Sequence, residues 1–229
     1  MVKQIIGCVA AFIISGFSST AAASALPGPH HTCQYPTKNA LDGCPKNSIL
    51  VGQDSAAKFT SIQKAISSLP DDGTAFTIVV LSGNYTEQLN VTRKAPITII
   101  GQTRSPLAQS ENTVTVYWSS INGANSGLTD NAYTSVLTVA PNLNASLTGS
   151  GKTGFPVPAD TPFGNTDFRV YNIDFRNIAT EIGAGPSLAL SVSRANAGFY
   201  SCGFYSYQDT VYRSEERRVG EECGSSVDL

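Results

Sequence analysis

An all-β domain is the fold class that this sequence predicts. Short runs rich in Val, Ile, Thr and aromatic residues alternate with clusters of Gly, Asn, Pro and Ser, a pattern typical of strands separated by turns. Because helical stretches do not separate the runs, βαβ units are not expected. An antiparallel sandwich and a parallel β-solenoid both remain open. Runs centred on Val79 and Ile99 lie twenty residues apart, as do Leu190 and Thr210, and this spacing favours the solenoid.

The first 25 residues predict a secretory signal peptide. Lys3 supplies a positive start, residues 5–17 are apolar, and Ala23, Ser24 and Ala25 form a small-residue cleavage site. The apolar run is short for a bilayer span, so no membrane attachment is expected after cleavage. We expect residues 26–47 to form an N-terminal lead-in and the protein to be secreted.

Secretion gives two kinds of residue a specific interpretation. Cys33 and Cys44, in a segment with Pro and Gly, can form a local disulfide. N-x-S/T tripeptides at Asn84, Asn90 and Asn144 are candidate glycosylation sites.

One helix is predicted, over residues 59–70, after a first strand at 48–52. Four of its apolar residues recur at helical spacing, Pro70 ends it, and Thr60 with Gln63 matches a capping box. A short amphipathic helix before a strand-rich region predicts a lid on an open sheet end. Further strands are expected at 77–81, 88–91, 97–101, 113–117, 135–139, 168–175, 188–192 and 198–204.

Two features between the strands bear on the choice of architecture. Residues 140–165 read as a loop insertion, which a solenoid tolerates because each coil contacts only its neighbours. Asn172 and Asn177 lie in the segment NIDFRN and suggest stacked polar turns, a second argument for the solenoid.

Composition excludes several classes of function. Only 14% of residues are charged and the net charge is −2, so no nucleic-acid partner is expected. Two histidines, both near the cleavage site, and the lack of G-x-S-x-G argue against a Ser-His-Asp hydrolase. No Cys/His cluster or phosphate-binding loop predicts a metal or a cofactor. Carboxylate and amide chemistry remains, and residues 198–212 combine six aromatic rings with Gln208 and Asp209.

Several motifs together resemble the fungal-type pectin methylesterases (pectinesterases). They are FTSIQKAISSLP, then IVVLSGNYTEQLNVTRKAPITIIGQT, NTVTVY, FRVYNIDFRNIA and ALSVSRANAGFYSCGFYSYQDTVY, which include the elements G-x-Y-x-E, T-I-x-G and Y-Q-D-T-x-Y. Each is modest alone, but their order and spacing are specific. The resemblance implies a right-handed parallel β-helix over residues 48–212, with a short N-terminal capping helix.

The same resemblance implies the activity and the site. A secreted enzyme of this family removes methyl esters from pectin (homogalacturonan), giving pectate and methanol. One aspartate attacks the ester and a second serves as acid and base, while glutamines stabilise the oxyanion. Asp209 matches the acid/base, Gln208 matches an oxyanion glutamine, and Tyr212 matches a substrate-contacting tyrosine. No cofactor is implied, and the full-length protein is expected to be a monomer.

The sequence also departs from the family pattern. Pro186 and Ser187 stand where a second glutamine is expected. The V-D-F motif that carries the nucleophile, and the arginine after it, do not follow Tyr212; Val227 and Asp228 lack the Phe and the Gly of that motif. We therefore expect this polypeptide to be truncated before the nucleophile and inactive as written.

Residues 213–229, RSEERRVGEECGSSVDL, break the composition, since Glu and Arg make up seven of the seventeen. A solvated charged tail is one interpretation. We prefer another, that the tail is not native to the protein and resembles translated adapter DNA.

Two other functions fit a β-helix. One is a non-catalytic protein that binds acidic polysaccharide. The other is a pectate-lyase-like enzyme, which would need calcium, and the sequence shows no aspartate cluster for that ion.

Overall fold

Thirteen short strands and two short α-helices make up the part of the chain that this computed structural model describes, residues 31–148, 160–179 and 185–213. The predicted signal peptide and the tail from residue 214 onwards lie outside it. The helices are α1 (His31–Gln34) and α2 (Ile62–Ser67). The strands are β1 (Ser48–Val51), β2 (Phe76–Val80), β3 (Gly83–Thr86), β4 (Leu89–Val91), β5 (Ile97–Gly101), β6 (Val114–Trp118), β7 (Leu137–Val139), β8 (Phe168–Tyr171), β9 (Ile173–Asn177), β10 (Leu190–Val192), β11 (Ala197–Tyr200), β12 (Gly203–Tyr205) and β13 (Val211–Arg213).

The strands form a parallel solenoid of stacked coils. Sheet A has the order β1-β2-β5-β8-β11, sheet B the order β12-β9-β6-β3, and sheet C the order β13-β10-β7-β4. All the pairings between the described strands are parallel. From β2 onwards, each coil gives one strand to each sheet. The parallel β-helix prediction is confirmed, and the antiparallel sandwich is wrong.

Register places equivalent side chains of successive coils directly above one another. In sheet A the column Ile78, Ile99 and Val170 points into the solenoid and is fully buried. Sheet C adds the inward column Leu89, Leu137 and Leu190. Because inward and outward residues alternate along a strand, the apolar core runs along the axis and the polar columns face outwards.

Two predicted strands are each split into two. The run 168–175 breaks between β8 and β9 at Asn172, with φ 55°, and the run 198–204 breaks between β11 and β12 at Ser201, with φ 49°. A left-handed residue turns the chain sharply, so one apolar run supplies two sheets. Strands β3 and β13 were not predicted, and β13 extends to Arg213, one residue beyond the predicted boundary of the β-helix.

Helix α2 lies over the first coil, as predicted, with Ile62, Ala65 and Ile66 buried. Its capping box was predicted wrongly. Ser61 is the N-cap and its side chain accepts from the Lys64 N–H, whereas Gln63 bonds to the main chain of Asn90.

Buried asparagines tie neighbouring turns together. The Asn172 side chain accepts from Gln34 and donates to the Pro106 carbonyl, at 2.9 and 3.0 Å. Asn177 donates to the carbonyls of Thr134 and Leu188. Both asparagines are buried, and each side chain satisfies main-chain carbonyl groups of another segment.

The N-terminal lead-in packs on the outer face of sheet A. Cys33 and Cys44 form a disulfide with Cα atoms 4.9 Å apart, and the lead-in buries Leu50, Val79 and Ile100. No helix within the described ranges is long and apolar enough to span a bilayer.

Candidate active site

Gln208 and Asp209 lie on the turn between β12 and β13, and both side chains are exposed. Asp209 has φ 55°, a left-handed conformation that aspartate adopts more readily than most residues. Among the described residues, none donates a side-chain hydrogen bond to its carboxylate. The acid is therefore open to solvent and to a ligand.

The turn is fixed to the preceding coil through its main chain. Ser187 N donates to Gln208 O at 3.0 Å, and Ala189 N donates to Thr210 O at 2.9 Å. The hydroxyls of Ser187 and Ser206 lie 2.7 Å apart, and Ser206 also bonds to the Ser187 carbonyl. Ser187, which stands where a second glutamine was expected, is fully buried. It supports the turn and offers no donor at the surface.

Tyr212 lies on β13, on the outward face of sheet C. It continues the column Asn90, Thr138 and Ser191. Burial raises the pKa of the Tyr212 phenol, and the negative charge of Asp130 raises it further. The phenol therefore stays protonated at neutral pH and can donate a hydrogen bond to a ligand.

Asp130 is a neighbour of this site that the sequence analysis missed. It is 1% exposed, and its carboxylate accepts from Ala132 N at 2.8 Å and from both the N–H and the hydroxyl of Thr148 at 2.9 Å. Asp130 caps the 3₁₀ turn of residues 131–134. Because its Oδ1 atom accepts all three of these hydrogen bonds, we interpret it as a link between the segments before and after β7. Its only signal in the sequence was a cap-type residue ahead of that turn.

The geometry thus brings together an exposed carboxylate, an exposed amide and a half-buried phenol within five residues, 208–212. No group of three or more His, Cys, Asp or Glu side chains suited to a metal ion occurs in the described ranges. A cavity of about 520 Å³ lies elsewhere, lined by residues that include Gln102, Arg104 and Glu111. None of the three predicted site residues lines it.

Comparison with known proteins gives a consistent result. No protein-family model matches the chain. "Probable pectinesterase A" of Neosartorya fischeri is 27% identical over 209 residues, covering 91% of this chain and 52% of the relative. Pectinesterase A of Emericella nidulans is 26% identical, covering 93% of this chain and 53% of the relative. The chain therefore spans about half the length of the curated relatives it matches.

Solved structures agree with these relatives. The pectin methylesterase of Aspergillus niger is 27% identical, with a TM-score of 0.56 over 74% of this chain and 46% of that one. The resemblance of this chain to the pectin methylesterases is confirmed in both sequence and fold. The pectin methylesterase of Erwinia chrysanthemi, 20% identical with a TM-score of 0.54, shares the fold.

One motif on which the resemblance rests serves the fold rather than the chemistry. In G-x-Y-x-E, Gly83 has φ 157° and lies against the Tyr85 ring, which is buried and donates its hydroxyl to the Leu81 carbonyl. Glu87 binds the start of α2. The residues of this motif therefore stabilise the first coil and its contact with α2.

The other residues singled out in the sequence occupy different surfaces. Of the sequons, Asn84 is exposed on β3, Asn90 is half-buried on β4, and Asn144 is exposed in a 3₁₀ turn. Tyr200 is 46% exposed and stacks on Tyr171 at 4.6 Å on the outside of sheet A. None of these residues lies on the turn that carries Asp209, although Asn90 shares the outward column of sheet C with Tyr212.

Proposed function

We propose that this chain belongs to a secreted carboxylic-ester hydrolase that removes methyl esters from pectin, giving pectate and methanol. The observation that supports this most is the exposed Gln208–Asp209 turn at the start of β13, with Tyr212 on the outward face of the same strand. The proposal extends to this chain the activity for which its relatives are named.

Asp209 is the proposed general acid and base. An exposed carboxyl group can take a proton from solvent, pass it to the departing methanol, and later accept a proton from an attacking water. Gln208, on the adjacent position, is the proposed amide donor to the oxyanion that forms at the ester carbonyl. Tyr212 is proposed to contact the sugar ring or to donate its hydroxyl proton in a hydrogen bond.

The nucleophile of this scheme is a second carboxylate. In a parallel solenoid, a residue one coil further along lies about 4.8 Å away, close enough to act on the same ester. The V-D-F motif expected to supply it is not among these 229 residues. We therefore propose that the polypeptide as written contributes the acid/base side of the site and releases no methanol by itself.

Secretion and its consequences belong to the same proposal. The features that support it are the signal-type residues 1–25, the disulfide between Cys33 and Cys44, and the sequons at Asn84, Asn90 and Asn144. The Aspergillus niger enzyme was solved with an N-acetylglucosamine stub on an asparagine.

The test is binding of defined pectin fragments. Isothermal titration calorimetry of the chain with a methyl-esterified hexagalacturonate is expected to show binding that Tyr212→Ala weakens about 3- to 10-fold, as loss of one aromatic contact predicts. Asp209→Asn is expected to strengthen binding of the demethylated, anionic hexagalacturonate, because it removes one negative charge beside the ligand.

Tyr200→Ala is the matched control, because Tyr200 is an exposed tyrosine on sheet A. It is expected to leave both affinities unchanged. No detectable binding, or an equal loss in Tyr200→Ala, contradicts the proposed site. Methanol release above that of denatured protein would contradict the proposed lack of activity in this polypeptide.

A further inference from the structure

The N-terminal end of the solenoid presents one edge strand from each sheet. Sheet A begins at β1, sheet B at β3 and sheet C at β4. An edge strand exposes a row of main-chain N–H and C=O groups that can pair with a strand of another molecule. Each edge therefore has to be covered or otherwise blocked.

Two of these edges are covered by the chain itself. Gln63 of α2 accepts from Asn90 N at 2.7 Å and donates to Asn90 O at 3.4 Å, so its amide replaces a strand partner along β4. Beside β1, Phe59 exchanges main-chain hydrogen bonds with Leu50 and Gly52, at 3.4 and 2.9 Å. Helix α2 packs mainly against β1, β2 and β4.

Strand β3 lacks such a cover within the described ranges. On one edge, the main-chain groups of β3 bond to β6 and to Thr113, the residue before β6. On the other edge, β3 receives no hydrogen bond from a described residue. The side chains of Asn84 and Thr86 on this strand are exposed. These two residues are the first and third positions of the sequon Asn84-Tyr85-Thr86.

We propose that an N-linked glycan on Asn84 covers the free edge of β3 and prevents it from pairing with the edge of a second molecule. The inference rests on the proposed secretion, because glycans are added in the secretory pathway, but not on the proposed esterase activity. A hydrated, bulky glycan next to an open edge excludes another chain sterically. It would do at β3 what Gln63 does at β4.

The other sequons have no such position. Asn90 is half-buried on a strand whose edge Gln63 already occupies. Asn144 lies in a 3₁₀ turn and on no strand. The protective function is therefore specific to Asn84.

The experiment starts from the full chain secreted by a yeast host. Mass spectrometry after peptide N-glycosidase F treatment is expected to show occupancy at Asn84. Asn84→Gln and Thr86→Ala both remove the sequon, whereas Thr86→Ser keeps it. Light scattering on a sizing column is expected to show several-fold more associated protein for the first two variants, and no change for Thr86→Ser or for Asn144→Gln.

Two further measurements keep the test independent of folding defects. Endoglycosidase H shortens the glycan on protein that is already folded and is expected to increase association in the same way. Hydrogen exchange of peptides spanning residues 83–86 is expected to slow in the associated species. An unoccupied Asn84, unchanged association after glycan removal, or slowed exchange confined to residues 197–213 would overturn the proposal. Binding of pectin fragments, measured separately, reports on the proposed function.

Discussion

Glu87 holds the first turn of α2 from 25 residues further along the chain. Its carboxylate accepts from the Ser61 hydroxyl at 2.6 Å and from the main-chain N–H groups of Ile62 and Gln63, each at 2.9 Å. A carboxylate at a helix N-terminus satisfies otherwise unpaired N–H groups and matches the positive end of the peptide dipoles. This contact joins the lid helix to the turn between β3 and β4.

Replacing the Glu87 carboxylate is expected to weaken the attachment of α2 to the first coil. Glu87→Gln keeps the shape but loses the charge and one acceptor, and it should lower the free energy of unfolding by about 1–2 kcal/mol. Urea denaturation measures the change. Glu111→Gln is the control, since the Glu111 side chain is exposed, and it should stay within about 0.5 kcal/mol of wild type. Equal effects of the two substitutions would contradict the capping role.

Two Asp–Arg pairs of the same spacing provide a comparison of buried and exposed carboxylates. Asp174 accepts from Gln109 and Asn112 as well as from Arg176, and its side chain is 9% exposed. Asp174→Ala leaves these donors without their acceptor and is expected to cost about 2–4 kcal/mol of stability.

The control for Asp174→Ala is Asp167→Ala. Asp167 pairs with Arg169 at 2.7 Å, but both side chains are more than 40% exposed. Its removal is expected to cost less than about 1 kcal/mol. Chemical denaturation of both variants measures the loss of free energy of unfolding. A larger loss for Asp167→Ala than for Asp174→Ala would contradict the prediction.

The glycine of the T-I-x-G element is expected to be irreplaceable. A Cβ at Gly101 would lie 2.3 Å from the main-chain oxygen of Asn172, on the next coil. Since that oxygen belongs to the backbone, the coils themselves would have to move apart. Gly101→Ala should cost about 1–3 kcal/mol and lower the melting temperature.

Gly73→Ala serves as its control, because nothing lies within 4 Å of a Cβ at that position. It is expected to melt like the wild type. A normal melting temperature for Gly101→Ala would show that the coils are less closely stacked than the structure indicates.

Alkaline stability is expected to depend on Tyr85. Burial, followed by the charge of Glu87, raises its pKa to about 12. Since the folded-state pKa exceeds the unfolded value of about 10, the contribution to stability is complete below pH 10 and is lost as the pH rises towards 12.

Tyr85→Phe removes the ionisable group and should reduce the loss of stability across this pH range, although it also removes the hydrogen bond to Leu81. Denaturant midpoints measured at pH 8, 10 and 11 test this. A pH dependence identical to that of the wild type would contradict it.

Much of the fold followed from local patterns in the sequence. Apolar runs such as 97–101 and 77–81 became β5 and β2 almost without change. Where one run supplied two strands, the missing information was the left-handed turn at Asn172 or Ser201, which an apolar pattern does not reveal. The helix was found, but its cap was not, because Glu87 lies outside the local window in which capping is visible.

For the candidate site too, the sequence indicated some residues and missed others. Gln208, Asp209 and Tyr212 could be proposed from the sequence because they lie close together in the chain and carry their own motif. Asp130 was missed because its relation to Tyr212 arises from the fold, since the two residues are 82 positions apart in the sequence.

By itself, the sequence determined the strand-rich character of this protein, the family that it resembles and the turn that carries the proposed acid, Asp209. Only the tertiary structure decided which coil stacks on which, because β5 pairs with β8 across the loop insertion and no local pattern specifies such a partner. It also decided that Ser187 is buried, that Glu87 caps α2 and that no described residue pairs with the second edge of β3. Each of these depends on main-chain groups brought together from different coils, and parallel stacking, rather than neighbouring residues in the chain, determines where those groups meet.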